Sequence, residues 1–139
     1  MIQKFLQTYK EAFGNAVPLP VTFGYSHIPV TEINKIPRCM IGSIRKVCEG
    51  DSLTLSVLCG GGSLYTAFAP MQERLPKFVS ETEHYKQTPE QIKKYIHRLD
   101  IHLTDKPYLN FVRMDKLSSL DEMEGILFFA TPDILSGLC

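Results

Sequence analysis

The centre of the chain reads Leu53-Thr54-Leu55-Ser56-Val57-Leu58-Cys59-Gly60-Gly61-Gly62-Ser63-Leu64-Tyr65. Its first six residues form a largely apolar run with the length of a buried strand. Three consecutive glycines lose much conformational entropy on folding, so a chain keeps them where the backbone needs positive φ or a very close approach. The thiol directly before them adds a soft nucleophile. We therefore predict a strand followed by a ligand-facing turn at residues 59–62.

Helices are predicted on both sides of this stretch. Apolar residues at helical spacing indicate helices at residues 2–13, 37–48 and 71–79, and Pro76 is expected to start a turn rather than to lie inside the last of them. Residues 88–91, Thr-Pro-Glu-Gln, combine a capping threonine, a first-turn proline and a capping-box glutamine. The helix that follows is expected to bury Ile92, Tyr95, Ile96 and Leu99, and a final helix is expected to begin at Thr131.

Strands are predicted at residues 21–25, 53–58, 108–114 and 126–130, and the segment 65–70 fits either a strand or a helix. Residues 126–130 are apolar throughout, as expected of a strand covered on both faces. Helical and extended patterns do not alternate strictly. The pattern therefore predicts a single α+β domain over residues 1–139, with a mixed sheet and helices packed on at least one face.

Composition narrows the class of protein. Lys plus Arg and Asp plus Glu both number 15, so the net charge is zero, which argues against a nucleic-acid binder that neutralises phosphates. No apolar run approaches the roughly 20 residues of a membrane helix, and the N-terminus lacks the apolar core of a signal peptide. We therefore expect a cytoplasmic protein with no nucleic-acid or membrane partner, whose four cysteines are thiols.

Two cysteines are candidate catalytic or ligand-contacting residues. Cys39 lies in the first turn of the predicted second helix, where the helix dipole favours a thiolate, and shares its side with Gly42 and Ser43. Cys59 precedes Gly60, Gly61 and Gly62, whose amides could cradle an anion, although no phosphate-binding fingerprint is present. The simpler interpretations are a buried cysteine and a ligand-free hairpin turn.

Other side chains add less specific signals. Tyr65 lies close enough to the glycines to line an apolar pocket or to pack in the core, and Arg74 could pair with a carboxylate or phosphate or remain solvated. The four histidines, His27, His84, His97 and His102, include no pair at the i, i+4 spacing of a helical metal site. The sequence therefore predicts no metal site, and it does not identify a cofactor.

Five stretches of the chain, taken in order, form a recognisable series: residues 37–42, 59–61 with Tyr65 and Phe68, 73–80, 108–113 and 125–138. They resemble a prokaryotic family known as domain of unknown function 169. The resemblance implies no activity, because the family has no established function. It also implies that this chain lacks a C-terminal segment of the family with its own glycine- and cysteine-bearing stretch.

Three functional hypotheses follow. The first is a small-molecule or cofactor-binding module whose pocket lies near the turn at residues 59–62. The second is a cysteine-dependent redox or transfer enzyme that uses Cys39 or Cys59. The third is a truncated homologue that forms a homodimer, because the apolar segment 126–130 is followed by too little chain to cover it. The residues expected to form the pocket are Cys39, Gly42, Ser43, Cys59, Gly60, Gly61, Gly62, Tyr65 and Arg74.

Overall fold

A computed structural model describes residues 1–33, 40–59, 66–85 and 88–138. These residues form five α-helices and one four-stranded sheet, which confirms the α+β class. In chain order the elements are α1 (Ile2–Phe13), β1 (Val21–Ser26), α2 (Met40–Cys48), β2 (Ser52–Ser56), α3 (Ala69–Glu81), α4 (Pro89–Arg98), β3 (Tyr108–Arg113), β4 (Gly125–Leu127) and α5 (Pro132–Leu138).

The strands lie in the order β2-β3-β1-β4, and each neighbouring pair is antiparallel. The expectation of a mixed sheet therefore fails for the four strands, and the parallel pairing that is described is a single bridge between Phe68 and Thr104. Antiparallel pairing suits this chain because β1 and β3, which are far apart in sequence, can align along their whole lengths. Val21 pairs with Arg113 at one end, and Ser26 pairs with Tyr108 at the other.

The two faces of the sheet differ in chemistry, as period-2 alternation predicts. One face buries apolar side chains against α2 and α3, whereas the other carries buried polar groups such as Thr22, Thr54 and Asn110. The main core cluster contains Val21, Tyr25, Ile44, Val47, Leu55, Phe68, Met71, Leu109 and Phe111. A second, smaller cluster joins α1 to the 3₁₀ turn Met114–Lys116 through Ile2, Leu6 and Met114.

Helices α3 and α4 pack against each other. The predicted cap of α4 is confirmed, since the Thr88 hydroxyl accepts a hydrogen bond from the Gln91 N–H at 3.4 Å. The expectation for Pro76 is wrong, because this buried residue lies inside α3. A proline there cannot donate to the carbonyl of Gln72, four residues earlier, so packing of its ring offsets a lost backbone hydrogen bond.

The expectation for residues 126–130 is also wrong in part. Strand β4 contains residues 125–127 alone, and it lies at the edge of the sheet. Ile126, Phe128 and Phe129 are each 38% exposed, so this segment is not covered on both faces. Its apolar character instead supports ring contacts with α1, where the centroid of Phe128 lies 6.4 Å from that of Phe5 and 6.1 Å from that of Tyr9.

Candidate functional site

The predicted site residues fall partly outside the described chain. Five of the predicted site residues lie outside the described residues: Cys39, Gly60, Gly61, Gly62 and Tyr65. The expected positive φ at a glycine and the expected place of Cys39 and Cys59 in one pocket therefore also lie outside them. The remaining four are placed as follows: Gly42 and Arg74 are exposed, Ser43 is buried and Cys59 is half-buried.

Cys59 closes a tight turn directly after β2. Its N–H donates to the carbonyl of Ser56 at 3.0 Å, and its Sγ accepts from the N–H of Ser56 at the same distance. The Ser56 hydroxyl lies 3.5 Å from the same sulfur. The thiol therefore satisfies backbone groups at the start of the glycine-rich segment, which is a structural role that the sequence pattern does not reveal.

The cysteine Cys48 lies at the end of α2, where its carbonyl accepts a hydrogen bond from Arg113. Burial raises the pKa of its thiol above the ordinary value, which disfavours the thiolate that nucleophilic chemistry needs. Both Cys48 and Cys59 are free thiols. Within the described ranges, no three His, Cys, Asp or Glu side chains come together in a way that could hold a metal ion.

An apolar pocket of about 500 Å³ lies between α3, α4 and the end of β1. Thr66 and Ala67, which directly follow the glycine-rich stretch in the sequence, form part of its wall. None of the four described residues of the predicted site lines it. The complete lining is Tyr25, Thr66, Ala67, Gln72, Leu75, Val79, Glu83, Tyr85, Ile92, Tyr95, Ile96, Leu99 and Ile101.

Helix α4 supplies one wall of the apolar pocket through the stripe that sequence reasoning assigned to the core. Ile92 is buried as expected, but Tyr95 is 59% exposed and Leu99 is 51% exposed. The spacing i, i+3, i+4, i+7 correctly indicates one helix face. What the sequence could not show is that α3 covers the beginning of this face and leaves its end open.

The loop after each of these two helices contains a left-handed residue directly before a residue that lines the apolar pocket. His84 follows α3 with φ of 53°, and Asp100 follows α4 with φ of 48°. The next residue in each case, Tyr85 or Ile101, lines the apolar pocket. Left-handed backbone is uncommon outside glycine, although His and Asp tolerate it better than most residues. In each loop, the left-handed residue is followed by a residue whose side chain lines the pocket.

Tyr25 supplies one of the few polar groups of this mainly apolar site. Its hydroxyl oxygen accepts a hydrogen bond from the Ala67 N–H at 2.7 Å, and its ring meets the edge of Phe68 with centroids 5.4 Å apart. Burial raises the pKa of Tyr25, the hydrogen bond from Ala67 opposes that shift, and the charge of Glu124 adds to it. The phenol is therefore protonated at neutral pH, so it can donate to a ligand oxygen or nitrogen.

A second depression of about 510 Å³, the basic cleft, lies on the other flank of α4. Its charged and titratable residues are Lys93, Lys94, His97 and Asp100. Gln72, Ile96 and Ile101 line both the basic cleft and the apolar pocket. The two depressions are therefore neighbours that share a wall. Ile96 is the residue of α4 in that wall.

Comparison with known proteins gives no relative for this chain. No family model, no curated protein and no solved structure matches it. Among the described residues, none of the helices combines the length and the apolar character that crossing a lipid bilayer requires.

Proposed function

We propose that the protein binds a small, largely apolar molecule in the apolar pocket. The observation that carries the proposal is the cavity of about 500 Å³ beside Tyr25, because its size falls within the roughly 300–1,000 Å³ of small-molecule sites. Its composition supports the same conclusion. Aliphatic and aromatic side chains dominate the lining, and the Tyr25 hydroxyl and the Gln72 amide can orient a ligand.

A bound apolar molecule would also remove exposed apolar side chains at the rim of the pocket from water. Tyr95, Leu99 and Ile101 all line the apolar pocket and all remain exposed. Apolar surface removed from water stabilises a complex by about 25 cal/mol per Å². Isolated exposed apolar residues are common on proteins, whereas several around one concave site indicate binding.

A fluorescent probe tests the proposal directly. N-phenyl-1-naphthylamine is neutral and fluoresces strongly in apolar surroundings, so titration with protein should give saturable enhancement. Leu99→Asp should weaken binding at least tenfold, because it places a charge on the exposed rim. Leu135→Asp is the matched control, since Leu135 is 58% exposed on α5 and does not line the apolar pocket. Equal binding by both variants, or no saturable binding by the natural sequence, would contradict the proposal.

We propose in addition that the chain belongs with domain of unknown function 169 and works in the cytoplasm. The ordered series of similar stretches supports the first statement, and the free thiols of Cys48 and Cys59 support a reducing compartment. A cysteine-dependent redox or transfer enzyme stays the alternative prediction, with Cys39 and Cys59 as its candidates.

Self-association is a separate proposal that rests on β4. This strand is the sheet's edge next to β1, and no strand of the described residues pairs with its outer side. Unpaired edges with exposed apolar residues favour pairing with another chain. A homodimer formed across β4 would cover Ile126 and Phe129, which are both partly exposed.

A further inference from the structure

Helix α4 separates two depressions of opposite character. Ile92, Tyr95 and Leu99 face the apolar pocket, whereas Lys93, Lys94 and His97 line the basic cleft. Apart from Leu99, which caps the helix, these residues lie on the ten-residue α4, and Ile96 contributes to both depressions. A molecule in the apolar pocket therefore lies within one helix diameter of a group of positive charges.

From this arrangement we infer that the ligand is an amphipathic anion with an apolar body and one acidic group. The inference rests on the proposed function and adds the ligand's charge and orientation. The apolar body lies in the apolar pocket, and the acidic group lies in the basic cleft, beyond Ile96 and beside Gln72. A carboxylate is the simplest acidic group that fits.

The charges in the two depressions favour this orientation. The basic cleft contains two lysines against one carboxylate, that of Asp100. The charged residue that lines the apolar pocket is Glu83, so the pocket itself holds no lysine or arginine among its described lining residues. A carboxylate is therefore attracted toward the lysines of the basic cleft.

Lysine also suits the geometry of an amphipathic ligand. Its aliphatic stem can lie along apolar surface while the ammonium group stays in water. Lys93 and Lys94 are exposed, so they can reach a carboxylate at the mouth of the cleft without being buried. Exposed ion pairs contribute little individually, and two together should favour the anion by about fivefold.

The test compares three ten-carbon probes that differ in charge: decanoate, 1-decanol and decylammonium. Each displaces N-phenyl-1-naphthylamine in a competition titration below its aggregation concentration. We expect decanoate to compete about fivefold more tightly than decanol, and decylammonium to compete more weakly than both. The advantage of decanoate should shrink as salt is raised from 0.02 to about 0.5 M, because exposed charges are screened.

Substitutions test whether the charged residues of the basic cleft cause the preference for decanoate. The double variant Lys93→Gln, Lys94→Gln should bind decanoate and decanol equally, whereas Lys4→Gln, Lys10→Gln on α1 changes the net charge by the same amount and should keep the preference. Asp100→Asn removes the negative charge from the basic cleft, so it should tighten decanoate and leave decanol unchanged. This gain cannot result from misfolding.

The outcomes separate the two proposals. If the neutral probe binds and decanoate competes no better than decanol, the anionic ligand is excluded while the apolar pocket remains a binding site. If the neutral probe binds and decylammonium competes best, the orientation of charges inferred for α4 is wrong. If neither the dye nor any ten-carbon probe binds, both the inference and the proposed function are overturned.

Discussion

Thr54 and Asn110 lie directly opposite each other on β2 and β3, and the Thr54 hydroxyl donates to Asn110 Oδ1 at 2.8 Å. Together they hold the loop that follows β1. The N–H of Val30 lies 3.0 Å from Thr54 Oγ1, the N–H of Thr31 lies 3.2 Å from the same atom, and Asn110 Nδ2 donates to the Ile28 carbonyl at 2.8 Å. This pair therefore attaches an irregular segment to the polar face of the sheet.

Removing one member of this pair should destabilise the fold. Thr54 is 2% exposed and Asn110 is 4% exposed, so Asn110→Leu leaves the Thr54 hydroxyl without its acceptor in a buried place. We expect a loss of about 1–3 kcal/mol in the free energy of unfolding, measured by urea denaturation. Thr8→Val, at an exposed position of α1, should change it by less than about 0.5 kcal/mol. A cost for Asn110→Leu as small as this control would contradict the role assigned to the pair.

A second prediction concerns acid stability. Arg113 binds both carboxylate oxygens of Asp115, at 2.7 and 3.0 Å, and donates to the Cys48 carbonyl at the end of α2. The hydrogen bonds from Arg113 lower the pKa of Asp115 below its ordinary value. A lowered pKa means stability that is present above the unfolded-state pKa of about 3.9 and is lost as pH falls through the folded-state pKa.

Arg113→Met should therefore reduce stability at neutral pH and flatten its dependence on pH. We expect a loss of about 1–2 kcal/mol at pH 7, because hydrogen bonds to a charged group and a helix carbonyl disappear. The difference between the variant and the natural sequence should narrow as pH falls below the ordinary pKa of an aspartate, and it should be lost once Asp115 is also protonated in the folded protein. Urea unfolding between pH 2.5 and 7 measures this, and a difference that stays constant over the range would show that Arg113 does not act through Asp115.

The elements that the sequence predicts correctly are those with strong local sequence signals. The Thr88 cap and the periodic apolar residues of α1 and β1 fix their elements through neighbouring residues, so the sequence predicts them well. The position of Pro76 inside α3 was not predicted, because its burial in the folded chain is not visible in the local sequence. The antiparallel register of β1 with β3 joins residues about ninety apart, and no local pattern records it.

The apolar pocket illustrates the same limit. Its α4 stripe is visible in the sequence, but the exposure of the stripe's end depends on tertiary packing that no local pattern records. One sequence signal could have located the apolar pocket. Leu99, Ile101 and Leu103 alternate with polar residues directly after an amphipathic helix. These three residues are all exposed, and such an excess of apolar residues indicates an unfilled contact.

A third prediction concerns thiol chemistry. Because burial raises the pKa of Cys48, its alkylation by iodoacetamide at pH 7 should be slower in the folded protein than in the same peptide under 6 M urea. The rate should rise with pH as the thiolate forms. Quantitative peptide mass spectrometry measures the rate, and the unfolded sample is its own control. Faster alkylation in the folded state would instead assign Cys48 an activated thiolate.

A fourth prediction tests self-association through β4. Light scattering of the natural sequence should give the mass of a dimer, and Ile126→Lys should shift it toward the monomer, because an edge lysine opposes strand pairing. Ile41→Lys is the matched control, since Ile41 lies exposed on α2 and away from the sheet edge. A monomeric natural protein at high micromolar concentration would refute the homodimer.

The last prediction links backbone strain to the apolar pocket. His84 and Asp100 adopt φ of 53° and 48°, where a β-branched side chain is strongly disfavoured. His84→Val and Asp100→Val should each lower the free energy of unfolding by about 1–2 kcal/mol and weaken dye binding, because Tyr85 and Ile101 lose their positions.

Glycine and asparagine separate the backbone effect from the loss of the side chain. His84→Gly and Asp100→Gly relieve the strain but add unfolded-state entropy, so stability should change by less than about 1 kcal/mol. Asp100→Asn, which tolerates the same conformation, should match the natural sequence in thermal unfolding. If the valine and glycine variants lose equal stability and equal dye affinity, the side chains of His84 and Asp100 matter rather than their left-handed backbone. The two loops would then owe their direction toward the pocket to contacts of those side chains.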